Sequence, residues 1–190
     1  MKILCYGDSN TYGYDPRGPI PGRYEAGYRW CDLLAASTGW TVINGGENGR
    51  IVPEPHWNYT DLKRMDREFG PFDMVCIMLG TNDVLISSRT DISPIVKRME
   101  ELLDFIHSNW PSVKPVLITP PPIDIPELPK AAEKLDALIK AYESLAEKQE
   151  IPLINNHSWE ISLAYDGAHF SQQGHQVFAK HIEQALQSLL

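Results

Sequence analysis

Three cysteines in 190 residues are too few, and odd in number, to form the disulfide framework that staples small secreted folds. Cys5 and Cys76 lie inside apolar, strand-like runs, so packed thiols are expected, and the spacing of Cys5, Cys31 and Cys76 suits no zinc site. No apolar run approaches the ~20 residues that span a bilayer, so no membrane partner is expected. Basic residues are outnumbered, 17 against 25 acidic, and the net charge of -8 opposes non-specific attraction to phosphate backbones. Nucleic acid is therefore not an expected partner. The chain enters an apolar strand after only Met1 and Lys2. That is too abrupt for the charged, apolar and small-residue regions of a signal peptide, which predicts a cytoplasmic protein. Repeats, linkers and low-complexity tracts are missing as well.

What is present is an ordinary globular composition, 43% apolar and 22% charged, in a length that predicts one domain over residues 1–190 and burial of roughly 70% of the unfolded surface. Short apolar runs at Ile3–Tyr6, Thr41–Ile43, Met74–Leu79, Val116–Thr119 and Pro152–Ile154 alternate with helical patterns. Such alternation predicts an α/β fold with a parallel sheet and crossover helices. The run from Met74 to Leu79 is apolar at every position, as a central strand covered on both faces would be. Ile92, Ile95, Val96, Met99, Leu102, Leu103 and Ile106 recur at helical spacing after Asp91, a candidate N-cap. Further helices are expected over about 130–149 and from about Ser171 onward. The segments Asp15–Gly27 and Pro53–Tyr59 read as irregular loops, and Pro120-Pro121-Pro122 ends the fourth strand.

In a parallel sheet the ligand crevice lies at the carboxyl ends of the strands. Gly7-Asp8-Ser9 follows the first strand, so Ser9 is either a nucleophile presented to that crevice or a helix N-cap, with Asp8 a turn-former. Asn44-Gly45-Gly46-Glu47-Asn48-Gly49-Arg50 follows the second, as a close-approach glycine loop or a plain flexible turn. After the third comes Gly80-Thr81-Asn82-Asp83, whose Asn82 amide is either a donor to a developing oxyanion or part of an Asx turn. Asp166 and His169 are spaced so that a short turn brings the carboxylate to one imidazole nitrogen while the other faces a hydroxyl. His175 and His181 fall in the last helix as surface or packing residues. The stretch from Gly7 to Gly13 lacks the Gly-Lys-Ser/Thr ending of a phosphate-binding P-loop.

Taken in order, Gly-Asp-Ser, a loop glycine, Gly-x-Asn-Asp and Asp-x-x-His resemble the SGNH hydrolases, also called GDSL esterases, over roughly residues 3–190. Gly7 to Tyr14, Arg29-Trp30, Asn48-Gly49-Arg50 and Thr119 to Pro122 resemble the arylesterase and acyltransferase branch. The resemblance implies a three-layer α/β/α sandwich, flavodoxin-like, with five parallel strands ordered 2-1-3-4-5. It implies Ser9 as nucleophile, His169 as base and Asp166 as its orienting acid, with an oxyanion hole from the Ser9 and Gly49 amides and the Asn82 side chain. Asn10 stands where the family name has Leu, a position the resemblance gives no chemistry.

The implied activity is a serine esterase acting on short-chain aryl or alkyl esters through an acyl-enzyme, with acyl transfer to alcohols as an extension and no cofactor or metal. Tyr12, Trp57 and Pro121 are the expected substrate contacts at the crevice rim. Acetylated sugars and lysophospholipids are alternative substrates. A non-catalytic flavodoxin-like binding module for a small molecule is the alternative of another class. The Pro- and Tyr-rich segment Asp15–Tyr28 is a candidate surface for a homo-oligomer.

Overall fold

The computed structural model describes residues 1–18, 22–87 and 90–190. In chain order its elements are β1 (Lys2–Gly7), α1 (Ser9–Tyr12), β2 (Tyr14–Asp15), β3 (Gly22–Arg23), α2 (Trp30–Thr38), β4 (Thr41–Gly46), α3 (Thr60–Phe69), β5 (Met74–Met78), α4 (Thr81–Ile86), α5 (Ser93–Asn109), β6 (Lys114–Ile118), α6 (Pro129–Lys148), β7 (Leu153–Ile154) and α7 (Gln172–Gln187). The five expected strands pair in parallel in the order β4-β1-β5-β6-β7, which is the expected 2-1-3-4-5.

Side-chain alternation along each strand divides the core in two. Leu4, Tyr6, Val75, Ile77 and Leu117 pack on one face with apolar residues of α3, α5 and α6. Ile3, Cys5, Met74, Cys76, Val116 and Ile118 pack on the other with α2 and α7. Both faces being covered, β5 is buried along its whole length and reads as an unbroken apolar run. Cys5, Cys31 and Cys76 are free thiols in this core. Among the described residues no helix is long and apolar enough to cross a membrane.

Three local expectations change. The helix of Ile92 to Ile106 starts at Ser93 with Ile92 at the cap; Asp91 stands one residue too early and instead accepts the Ser93 N–H at 2.9 Å. Asp15–Gly27 is not wholly irregular, because β2 and β3 pair antiparallel, Tyr14 opposite Arg23; residues 19–21 of that segment lie outside the described residues. Pro53–Tyr59 contains a 3₁₀ turn over Pro55–Trp57.

β4 also runs past Ile43, pairing Gly45 with Tyr6 and Gly46 with Gly7. The reason is packing: a Cβ on Gly46 would lie 2.1 Å from the Tyr12 backbone N, so only glycine lets α1 sit on this strand. Because Gly7 also pairs with Met78, the first three core strands end level. The turns that follow them leave the sheet side by side.

His175 is a core residue of α7, fully buried, its Nδ1 accepting the Trp30 N–H at 3.4 Å while Tyr24 packs edge-on at 5.3 Å. Burial, followed by the nearby charges of Arg29 and His169, lowers its pKa to about 3. Between about 3 and the ordinary value of 6.5, the unfolded chain binds the proton that the folded chain refuses. This stability is therefore complete above pH 6.5 and is lost as pH falls towards 3, at about 1.4 kcal/mol per unit. Buried Asp8, raised to about 7, acts in the opposite direction over the same range. Urea unfolding of wild type and His175→Gln from pH 7 to 4 should isolate the histidine. Asp8 is common to both proteins, so the expected signal is their difference: wild-type stability relative to the variant falls by about 1.4 kcal/mol per pH unit below 6.5, and parallel pH profiles would remove His175 from the account.

Candidate active site

At the carboxyl edge of β1 the chain turns directly into α1, and Asp8 is the cap. Its carboxylate accepts the Asn10 N–H at 2.9 Å and its carbonyl accepts the Tyr12 N–H. Ser9 is the first helical residue, so the N-cap alternative for Ser9 falls to its neighbour. Burial pushes the Asp8 carboxyl up to about 7 despite that hydrogen bond and the charge of Arg50.

The turn holding His169 is built from the other end of the chain. Asp166 Oδ1 accepts the backbone N–H groups of Ala168 and His169 at 3.1 and 3.0 Å. Gly167 adopts φ +67°, where a Cβ would meet the Asp124 carbonyl at 1.8 Å, so both its conformation and its space call for glycine. The result brings Asp166 Oδ2 to 2.7 Å from His169 Nδ1 and His169 Nε2 to 3.0 Å from Ser9 Oγ. With Nδ1–H donated to Asp166, Nε2 is the acceptor for the serine hydroxyl. Burial alone would raise the Asp166 carboxyl, but hydrogen bonds from the His169 backbone and ring and from Ala168 outweigh it and hold the group below the usual carboxylate range. Asp166 is thus an anion opposite an imidazole, the arrangement that favours proton uptake at Nε2.

Gly49 is exposed, at φ +75°, with nothing near a would-be Cβ. Of the three glycines in its loop it alone lies in the turn, since Gly45 and Gly46 belong to β4. Among the described residues neither the Gly49 nor the Ser9 N–H has a partner. Asn82 lies in the first turn of α4 and donates one amide hydrogen to the Arg50 carbonyl at 3.0 Å, and its second hydrogen has no partner among the described residues.

Arg50 and Asp83 were not singled out by the sequence, yet they fix this edge. The Arg50 guanidinium, 7% exposed, donates to the Gly7 carbonyl at 2.7 Å and to that of Gly45, pairs with Glu47 and Asp61, and covers the Tyr6 ring at 4.2 Å. It ties β1 to the loop carrying Gly49, while its own carbonyl orients Asn82. Asp83 accepts the Val52 N–H at 3.0 Å and pairs with Arg98, which also reaches Glu54. Burial raises the Asp83 carboxyl against those partners. Both stand inside motifs the sequence offers, Asn48-Gly49-Arg50 and Gly80 to Asp83, which assign a role to neither. Tyr14, from β2, lies against the His169 ring with centroids 4.4 Å apart.

The expected substrate contacts separate. Trp57, 49% exposed, walls a cleft of about 350 Å³ together with Gly49, Asn48, Glu47, Thr60 and Asp61. Tyr12 instead lies beneath the Arg23 guanidinium at 4.3 Å, Pro121 is buried, and neither lines that cleft. Ser9 and His169 are also outside its walls, so it opens beside Gly49 rather than over the serine. Among the described residues no group of three His, Cys, Asp or Glu is placed to hold a metal ion.

Known proteins share this family and this fold. The GDSL-like lipase/acylhydrolase family matches residues 5–177. The aryl esterase of M. smegmatis is similar in structure, at TM-score 0.83 and 26% identity, covering 100% of this chain and 99% of that one. A carbohydrate acetylesterase from Sinorhizobium meliloti shares the fold at TM-score 0.85 and 24% identity, covering 100% and 99%. A GDSL esterase/lipase of Arabidopsis thaliana is 24% identical over 138 residues, 59% of this chain and 57% of that protein's length.

Proposed function

Since the chain belongs to the GDSL-like lipase/acylhydrolase family, the SGNH hydrolases, we propose that it is a carboxylic ester hydrolase that cleaves short-chain esters through an acyl-enzyme on Ser9. The observation that carries this reading is the unbroken chain from Ser9 Oγ through both nitrogens of His169 to Asp166, at 3.0 and 2.7 Å. A serine hydroxyl is a weak nucleophile at neutral pH and needs such a base within reach.

Ser9 Oγ attacks the ester carbonyl as His169 Nε2 takes its proton. The negative charge moves to the former carbonyl oxygen, where the Ser9 and Gly49 amides and the second Asn82 hydrogen are free to donate. Collapse expels the alcohol, protonated by His169, and leaves Ser9 acylated. Water then repeats the sequence and releases the acid; an alcohol in its place gives acyl transfer. Asp166 holds the tautomer and balances the imidazolium. A binding module has no need of this base-serine pair.

Acetylated sugars are a second substrate reading, favoured by the cleft beside Gly49. Exposed Trp57 offers a flat apolar face, and Glu47 and Asp61 offer acceptors for hydroxyl groups. Turnover of p-nitrophenyl acetate, butyrate and decanoate, set beside acetate release from a peracetylated sugar, tests both. The expected order is acetate and butyrate well above decanoate. Decanoate in the lead would overturn the short-chain reading, and no ester turnover at all would overturn the enzyme mechanism.

A further inference from the structure

Asn10 occupies the position next to the serine to which the sequence assigned no chemistry, and it is 2% exposed with all four of its polar groups engaged. Its backbone N–H goes to Asp8 Oδ1 at 2.9 Å, and its carbonyl accepts the Trp30 indole N–H at 3.1 Å. The side chain reaches across to the far end of the sequence. Nδ2 donates to the Ala168 carbonyl at 3.1 Å, and Oδ1 accepts the Phe170 N–H at 2.8 Å. Those are the two residues flanking His169. A leucine at this position would fill similar space and satisfy neither group.

We propose that Asn10 is a positioning residue for His169: its amide clamps the peptide groups on both sides of the histidine and registers the imidazole against the adjacent Ser9. Asp166 fixes the ring's tautomer and tilt from Nδ1, and the Ala164 N–H on the His169 carbonyl and the Asp124 N–H on the Gly167 carbonyl hold the turn to its own neighbours, but none of these ties it to the helix that carries Ser9. Here the holding residue is covalently next to the nucleophile, so base and hydroxyl are referenced to the same short helix. Near-attack geometry tolerates little error, and a displacement of about 1 Å costs up to ~10²-fold in rate.

This proposal rests on the acyl-enzyme reading for its kinetic readout and is separable from it by spectroscopy. Asn10→Leu removes both hydrogen bonds; Asn10→Asp keeps the shape and the acceptor but loses the donor when ionised. With p-nitrophenyl acetate, Asn10→Leu is expected to lower kcat about 10–100-fold with KM within about twofold, and Asn10→Asp to fall between it and wild type. The downfield proton resonance of His169 Nδ1–H, assigned by its absence in His169→Ala, is expected to shift and broaden in Asn10→Leu. If Asn10→Leu does not fold, Asn10→Asp carries both measurements. A lower melting temperature with unchanged kcat and an unchanged resonance would show that Asn10 serves stability alone and overturn the proposal. Loss of the acyl-enzyme reading would appear separately, as full activity in Ser9→Ala, and would leave the resonance test standing.

Discussion

Ser9→Ala is expected to lower kcat for p-nitrophenyl acetate by about 10⁴–10⁶-fold while leaving the fold intact. The size follows from Ser9 Oγ being the only protein atom in the scheme that bonds to the acyl carbon. Without Oγ, His169 has only water to activate, and catalysis falls back on whatever the oxyanion donors retain. The substitution removes one hydrogen bond, from Oγ to His169 Nε2 at 3.0 Å, and leaves the Asp8 cap and the Asn10 contacts in place. Stability should therefore change by less than about 1 kcal/mol. A fluorophosphonate should add one phosphonyl group per wild-type chain, on the peptide containing Ser9, and none to the variant. Wild-type turnover in Ser9→Ala, or labelling at another residue, would remove Ser9 from the mechanism.

Asn82→Ala should lower kcat by about 10²–10³-fold with little change in KM, because a donor to the oxyanion acts on the transition state more than on the bound ester. The wild-type geometry gives this prediction its particular form. One hydrogen of the Asn82 amide is held by the Arg50 carbonyl at 3.0 Å, so the plane of the amide is fixed before substrate arrives. Asn82→Asp keeps the shape but replaces the donor with an acceptor and a charge, and should be at least as impaired as Asn82→Ala. Steady-state kinetics of the two variants, with melting temperatures to exclude unfolding, check this. A loss confined to KM would make Asn82 a ground-state contact instead.

Much of this was legible in order along the chain. The five strands could be read because each is a short apolar run, and β5 as central because burial on both faces removes the polar alternation. Asp166 and His169 are close in sequence, so a local turn predicts their pairing. That Gly49 alone of the three loop glycines lies in the turn became visible only when Gly45 and Gly46 were seen inside β4, where α1 packs on Gly46 and the Leu4 and Met65 side chains crowd Gly45. Arg50, Asp83 and Asn10 were not legible in this role. The partners that give them this role, Gly7 for Arg50, Val52 and Arg98 for Asp83, and Ala168 and Phe170 for Asn10, lie 15 to 160 positions away, and nothing in a charged or amide residue within a loop tells which distant group it will meet. His175 shows the same limit: helical position alone left it between surface and core, and its burial was decided by Tyr24, Trp30 and Phe170 around it.

By itself, then, the order of residues determined the layer architecture, the sheet edge on which chemistry would gather, and the residue types available there, because these follow from local periodicity and from strand-end geometry. Tertiary structure alone decided that Ser9 and His169 meet, that one hydrogen of Asn82 is left over, and that Asn10 and Arg50 hold the two halves of the site in register. Those outcomes depend on hydrogen bonds of a few ångströms between segments up to 160 positions apart, a precision that hydrophobic patterning does not encode and that only a packed core enforces.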